Sequence, residues 1–448
     1  MAHTSMRNRI GAFLALGALV LASILSACGG GGGGSSKVSI TYLTHWSGPQ
    51  IGQLNAAIAA YNKIEPNVSI QVRNVPFGNL LTTITTQAGS SSGPTIMGIY
   101  DLWMPQLVQN GVVAPTPGDY TTDIQGAYPK SITSGVSVDG KIYGYSNEID
   151  LYALNYNKAL FQEAGISAPP ATWNDLVADA KKLTKYDGSG KITQQGFGII
   201  TSWNSGVVHP WLSLVNSNGG ELLTSDHKPQ LTSAAVQQTA DLYHQLIAVD
   251  KTTDPAMGEA NASTTGPFLD NFANGKTAMI IMANWWESAL KDSMKDNFKN
   301  VATAPIPMGP SGSASHSVSY SWSDVVSAHA SQDQQAAAWK FLKWLNGSSS
   351  GKNGSSAMGD ILMGMGILPS RTSDLTAHQS ELGDPFIKTY VDEMANAMPF
   401  PIVLGGDEIT TKLQKDIESL DSGQASPRQA MSQAQSDLSQ ILGQYYNS

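Results

Sequence analysis

Apolar and polar positions alternate over residues 37–43 (K-V-S-I-T-Y-L), the period of a strand. Residues 50–64 then place Ile51, Leu54, Ile58 and Tyr61 on one helical face. Alternation returns over 68–75, helical spacing over 80–88, and a short apolar run over 95–100 reads as a buried strand. Between the last two lies Gly89-Ser-Ser-Ser-Gly-Pro94, a breaker. A short helix is expected over 103–110, ended by Gly111. Strand, helix, strand, helix, strand predicts an α/β fold built on a parallel sheet.

The pattern continues along the chain. Strands are expected over 141–145, 151–156, 197–201, 276–282 and 300–305. Thr172 followed by Asp175 reads as a helix N-cap with an acidic residue at the third helical position. Helices are expected over 233–249, 268–274, 286–294 and 333–345. The last third is mainly helical, over 380–397 and 407–420, with a final helix opened by Ser426 and Pro427. In that helix Met431, Ala434, Leu438, Ile441 and Leu442 form one apolar face. A chain of 448 residues with this pattern predicts two or three domains.

The N-terminus follows a different rule. Arg7 and Arg9 precede an apolar run from Ile10 to Leu25, and small residues lead to Cys28. This is the pattern of a signal peptide over residues 1–27, too short to span a bilayer. Leu25-Ser-Ala-Cys28 resembles the bacterial lipobox, in which the cysteine is acylated and becomes the first mature residue. A Gly/Ser tether over 28–36 follows. Cys28 is the one cysteine of the chain, which excludes an intrachain disulfide framework. No second long apolar segment follows, so the expected location is extracytoplasmic, anchored to the membrane by lipid alone.

Charge narrows the function. Charged residues make up 14% of the chain and the formal net charge is −9, which argues against a nucleic-acid partner. No two of the eight histidines lie within five residues of each other, so no metal motif is formed and neither metal nor cofactor is expected. Gly89-Ser-Ser-Ser-Gly93 matches a nucleophile elbow by letter but lacks the preceding strand. Glu148 and Asp150, at i and i+2, would face one side of an extended segment. They read as ligands for substrate hydroxyls; a carboxylate pair for glycoside hydrolysis is the alternative.

Tryptophan carries more. Trp173, Trp211, Trp339 and Trp344 sit in helical patterns and read as packing residues. Trp46, Trp103, Trp203, Trp285, Trp286 and Trp322 lie at or beyond strand ends, beside His45, Asp101, Asn204, Asn284, Glu287 and Asp324. Ligands of open α/β sheets bind outside the carboxyl ends of strands. Indole faces suit the C–H face of a pyranose, and carboxylates and amides suit its hydroxyls.

In order, several segments resemble the extracellular solute-binding proteins of bacterial ABC importers, the family-one group that includes maltose-binding proteins. Residues 143–158, ending Tyr156-Asn-Lys158, look like that family's first interlobe crossing. Gly275-Lys-Thr-Ala-Met279 with Trp285-Trp286 looks like its strand and site tryptophan. Residues 321–327 look like its second crossing, and Gly366-Ile-Leu-Pro-Ser-Arg371 like its G-x-x-P-x-R turn. The resemblance implies a two-lobed periplasmic-binding-protein fold of type II, with lobe one at 37–149 and 319–383 and lobe two at 150–318 and 384–448. It implies a monomer that captures a mono- or oligosaccharide between the lobes and hands it to permease subunits. The ligand-binding residues it implies are His45, Trp46, Asp101, Trp103, Asn147, Glu148, Asp150, Trp203, Asn204, Trp285, Trp286, Trp322, Asp324 and Arg371. The segment 398–406 departs from maltose binders by having no Trp or Tyr, leaving Phe400 as its aromatic residue. A secreted carbohydrate-active enzyme, a sensor partner or adhesin, and a binder of a non-sugar solute such as glycerol phosphate remain alternatives.

Overall fold

The computed structural model describes residues 37–90, 93–261 and 264–446. The expected signal peptide, Cys28 and the tether lie outside the described residues. The strands are β1 (Val38–Thr44), β2 (Val68–Asn74), β3 (Ile96–Tyr100), β4 (Ser137–Val138), β5 (Lys141–Ile142), β6 (Gly144–Asn157) and β7 (Lys185–Tyr186). They continue with β8 (Ile192–Gly198), β9 (Thr277–Ala283), β10 (Val301–Ala304), β11 (Val318–Val326), β12 (Leu368–Pro369) and β13 (Met398–Pro399).

The main sheet runs β2-β1-β3-β11-β6-β9-β8-β7, with β10 and β12 also on β6 and β13 on β11; β4 and β5 form a separate hairpin. It is mixed instead of mainly parallel. β1 is parallel to β2 and β3, and β8 to β9. The middle is antiparallel, because β11 runs against both β3 and β6, and β6 against β9.

β6 organises the molecule. Sequence patterning expects two strands here, over 141–145 and 151–156, split by polar residues. The structure has one strand of 14 residues, buried over nearly its whole length. Its first half pairs with β11 and β12, and its second half with β9 and β10. In the first half the register sets Trp322 opposite Glu148 and Tyr320 opposite Asp150. The register then shifts, leaving Asn147 as an extra residue between Glu148 and Ser146. Such bulges re-aim side chains beside functional sites.

Most other expected elements are present with ends shifted by a few residues, but the strand expected over 197–201 is β8, which starts at Ile192 and ends at Gly198. The Thr172 hydroxyl accepts from Asp175 N while the Asp175 carboxylate accepts from Thr172 N, completing a capping box. The helix expected over 233–249 is α-helical at Ala234–His244 and continues as a π-turn at Gln245–Val249. That expected over 380–397 is a 3-10 turn at Glu381–Gly383 and an α-helix at Pro385–Glu393. Asn204–Asn216 is a helix that patterning does not show, apart from Trp211. It is buried along nearly all its length and contains Pro210, so it has neither a polar stripe nor an uninterrupted helical composition. Trp173, Trp211 and Trp339 are buried, and Trp344 packs against Tyr61 and Phe341.

Gly144 opens β6 where it passes β11. A Cβ there would sit inside contact distance of the Asp324 carbonyl oxygen and the Val325 side chain. Gly144→Ala should therefore cost about 1–3 kcal/mol, the usual range for overpacking. Urea denaturation reads this directly, and a variant as stable as the parent would show that β6 and β11 are less tightly apposed.

Candidate functional site

A cavity of about 570 Å³ opens where these strands end. Its size falls within the roughly 300–1,000 Å³ of small-molecule sites. Trp322, Tyr320, Glu148 and Asp150 come from the facing rows of β11 and β6. His45 and Trp46 follow β1, where the Asn74 amide donates to both of their carbonyls. Trp285 and Trp286 follow β9 in a 3-10 turn. Trp203 lies between β8 and the helix Asn204–Asn216. Ser202, just before it, has φ of 67°, a left-handed conformation that is uncommon for a non-glycine residue and tends to mark functional turns. The Ser202 N–H donates to Glu418 Oε1 at 2.7 Å, holding that turn.

The aromatic rings support one another. Trp285 and Trp286 have centroids 3.9 Å apart, and Trp203 meets Trp285 edge-on at 6.0 Å. The His45 ring lies 3.8 Å from that of Trp322, which stacks on Tyr100 at 5.9 Å. Trp285 Nε1 donates to the Tyr320 hydroxyl at 2.7 Å. Indole rings fixed this way offer faces without further loss of side-chain freedom.

The carboxyls form the floor. Glu148 and Asp150 are 3% and 1% exposed, and their side chains hydrogen bond each other. Asn284 Nδ2 donates to Asp150 Oδ1 at 3.2 Å, while Asn284 Oδ1 accepts from Leu151 N at 2.8 Å. Burial pushes Asp150 up to about 7. Burial, and then the neighbouring Asp150 charge, raise Glu148 well above the carboxylate range. Three polar atoms of lining residues have no partner within the protein: Glu148 Oε2, His45 Nδ1 and Trp203 Nε1. Buried polar atoms are normally satisfied, so these are positions for a polar ligand.

Of the residues expected at the site, the cavity brings together His45, Trp46, Glu148, Asp150, Trp203, Trp285, Trp286 and Trp322. Six others do not line it. Asp101 turns inward, accepting from the Ser321 N–H at 2.8 Å and its hydroxyl at 3.2 Å. Asp324 accepts from the Tyr42 hydroxyl at 2.6 Å, with Asn147 beside it. Asn204 starts its helix and donates to Thr411 at 3.3 Å. The Arg371 guanidinium lies over the Tyr128 ring at 5.5 Å, and its Nε donates to Ser373. Trp103 stacks on Phe77 and meets Trp322 edge-on, but it lines a second cavity of about 650 Å³ with Asp407, Lys412 and Tyr445. Its Nε1 donates to Asp407 Oδ1 at 3.1 Å. Phe400 is also buried, against His209 at 4.8 Å.

Patterning misses Gln50, Gln53, Phe77, Tyr100 and Tyr320, all on the cavity wall. Tyr320 stands two residues before Trp322 on one strand face, a period-two signal that was available. Tyr100 reaches His209 Nε2 at 3.0 Å, and Tyr152 reaches its Nδ1 at 3.1 Å. This fully buried imidazole, pushed down to about 3 by burial, is neutral and ties β3, β6 and the helix Asn204–Asn216 together. Among the described residues no group of three or more His, Cys, Asp or Glu could hold a metal ion. No described helix is long and apolar enough to cross a membrane.

The model of the bacterial extracellular solute-binding proteins matches residues 47–352, and the chain belongs to that family. A putative binding protein of Brucella abortus is 28% identical over 73% of this chain and 76% of its own length. The diacetylchitobiose binding protein DasA of Streptomyces coelicolor is 22% identical over 75% of this chain and 78% of its own. Among solved structures, the GacH receptor of Streptomyces glaucescens, determined unliganded and with acarbose, has a TM-score of 0.77. That similarity spans 91% of this chain and 99% of GacH at 21% identity. The fold is the two-lobed α/β fold of type II periplasmic sugar-binding proteins.

The floor predicts a pH dependence. Asp101, Asp150 and Asp324 are each pushed up to about 7, mainly by burial, and Glu148 is raised with them. Such carboxyls bind more protons folded than unfolded, so the stability they confer is present below their unfolded pKa of about 4 and lost as pH rises through about 7. His45 and His209, both pushed down to about 3, oppose this: they cost stability as pH falls below about 6.5. The four carboxyls outweigh the two imidazoles. The melting temperature of the ligand-free protein should therefore fall between about pH 5.5 and 8. Asp324→Asn should flatten that fall; a melting temperature that rises over the interval would contradict the assignment.

Proposed function

We propose that this protein is the extracytoplasmic substrate-binding component of an ABC importer, capturing a mono- or oligosaccharide and delivering it to permease subunits. The observation that carries this reading is the cavity itself, in which five indole rings surround a hydrogen-bonded carboxyl pair. Rings stack on the C–H faces of a pyranose, and the carboxyls accept from its hydroxyls. The solved structures of similar fold include sugar complexes, which supports the same ligand class. The contact between Glu148 and Asp150 favours binding over hydrolysis, since glycosidase carboxyls stand about 5–9.5 Å apart around the bond they cleave.

In this reading lobe one comprises 37–149 and 319–383, and lobe two 150–318 and 384–448. The change of β6 partners midway along the strand supports a boundary there. Trp46 and Trp322 then face Trp203, Trp285 and Trp286 across the cleft, and hinge closure buries the sugar. The protein works as a monomer, with acylated Cys28 and its tether holding it at the membrane.

Titrating intrinsic tryptophan fluorescence with a sugar panel should give a saturable change. Trp285→Ala should weaken the best ligand about tenfold or more, as loss of a central aromatic contact does. Silence across sugars, polyols and glycerophosphodiesters would refute the reading. For the anchor, metabolic labelling with an alkyne fatty acid should mark the parent chain and leave Cys28→Ser unmarked; equal labelling of both would exclude acylation at Cys28.

A further inference from the structure

The geometry points to a cationic sugar, an amino sugar carried as its ammonium form, as the ligand class of this cleft. This rests on the reading of the cleft as a saccharide site. Three carboxyls line the cavity, Glu148, Asp150 and Asp292, and among the described residues no Lys or Arg does. Asp292 meets Lys295 at 3.5 Å on the exposed side, but Glu148 and Asp150 in the floor meet no basic side chain. Behind the floor lie Asp101, close enough to feel Asp150, and Asp324, close enough to act on Glu148.

The groups facing these four buried carboxyls are hydroxyls of Tyr42, Tyr320 and Ser321, amides of Asn147 and Asn284, and backbone N–H groups. Hydrogen bonds of that kind do not supply positive charge, and buried carboxylates without a counter-ion carry a large desolvation cost. Burial disfavours the charged forms and raises all four groups, so they relieve that cost by holding protons. A neutral pyranose entering the cleft brings no counter-charge and leaves those protons in place. An ammonium group on the sugar supplies the counter-charge and lets a carboxyl ionise.

Glu148 Oε2, buried on the cavity wall without a partner, is the acceptor such a group would reach. The indole faces nearby add attraction of the same sign, because a cation over an aromatic face is stabilised most strongly where water is excluded. His45 cannot substitute as a cation, since it is neutral when buried here. Arg371, the one arginine expected at the site, is over Tyr128 instead. Sugar acids and sugar phosphates would meet no counter-charge among the lining residues.

Calorimetry on the parent protein at about pH 6.5, where sugar amines remain largely protonated, tests this with matched pairs. The pairs are glucosamine with glucose, galactosamine with galactose, mannosamine with mannose, and the β-1,4 glucosamine disaccharide with cellobiose. In the pair that binds best, the amine should be favoured by about tenfold or more. Glu148→Gln and Asp150→Asn, each confirmed folded by thermal melting, should collapse that ratio. If the neutral member binds as tightly as its amine, the amino-sugar assignment is overturned while the saccharide reading stands. If no sugar in this set or in the wider panel binds, the saccharide reading falls and the assignment with it. Tetramethylammonium then separates the parts: its binding would retain the cation site, and its absence would remove that too.

Discussion

The antiparallel pairing of β6 with β11 is the constraint on which the rest depends. It places Trp322 opposite Glu148 and Tyr320 opposite Asp150, so two aromatic and two acidic side chains share one face by register alone. A slip of one residue would exchange these side chains for their neighbours and turn the carboxyls away from the cavity. The close passage at Gly144 and the Asn147 bulge both lie on this pair. Asp101 and Asp324 add further ties: Asp101, just after β3, accepts from Ser321 of β11, and Asp324 of β11 accepts from Tyr42 of β1. These acids belong to the framework that holds the site residues in place.

That division of labour explains what was legible in the sequence. Amphipathic helices and half-exposed strands were readable because their periods are visible. Patterning divides β6 in two because Ser146, Asn147, Glu148 and Asp150 interrupt its apolar run, yet those residues are buried. The interruption marked the site, not a loop. Patterning misses Asn204–Asn216 for the opposite reason: a helix buried on all sides has no polar face to contrast with. Family resemblance supplied the two-lobed expectation, which composition and spacing alone could not.

The candidate site was legible to the extent that type and position agree. Tryptophans beyond strand ends with polar neighbours placed Trp46, Trp203, Trp285, Trp286 and Trp322 on one cavity. The same rule put Trp103 there too, but its side chain stands on the far side of Phe77 and Trp322, facing Asp407. A carboxylate near a strand end can equally be a ligand or a tie between strands, and only geometry separates Asp150 from Asp324. Arg371 shows the same limit, since a charged residue after a turn need not point into the cleft.

The order of the chain through this sheet has a consequence for how the protein is made. Tyr320 and Trp322 pair with residues of β6 that precede them by about 170 positions, and closing so long a loop must come before the contacts that stabilise it. The floor and one aromatic wall of the cleft do not exist until β11 has been synthesised and inserted between β3 and β6. A nascent chain that stops short of β11 has neither a binding site nor a closed sheet, so solute cannot assist folding until most of the polypeptide is already complete.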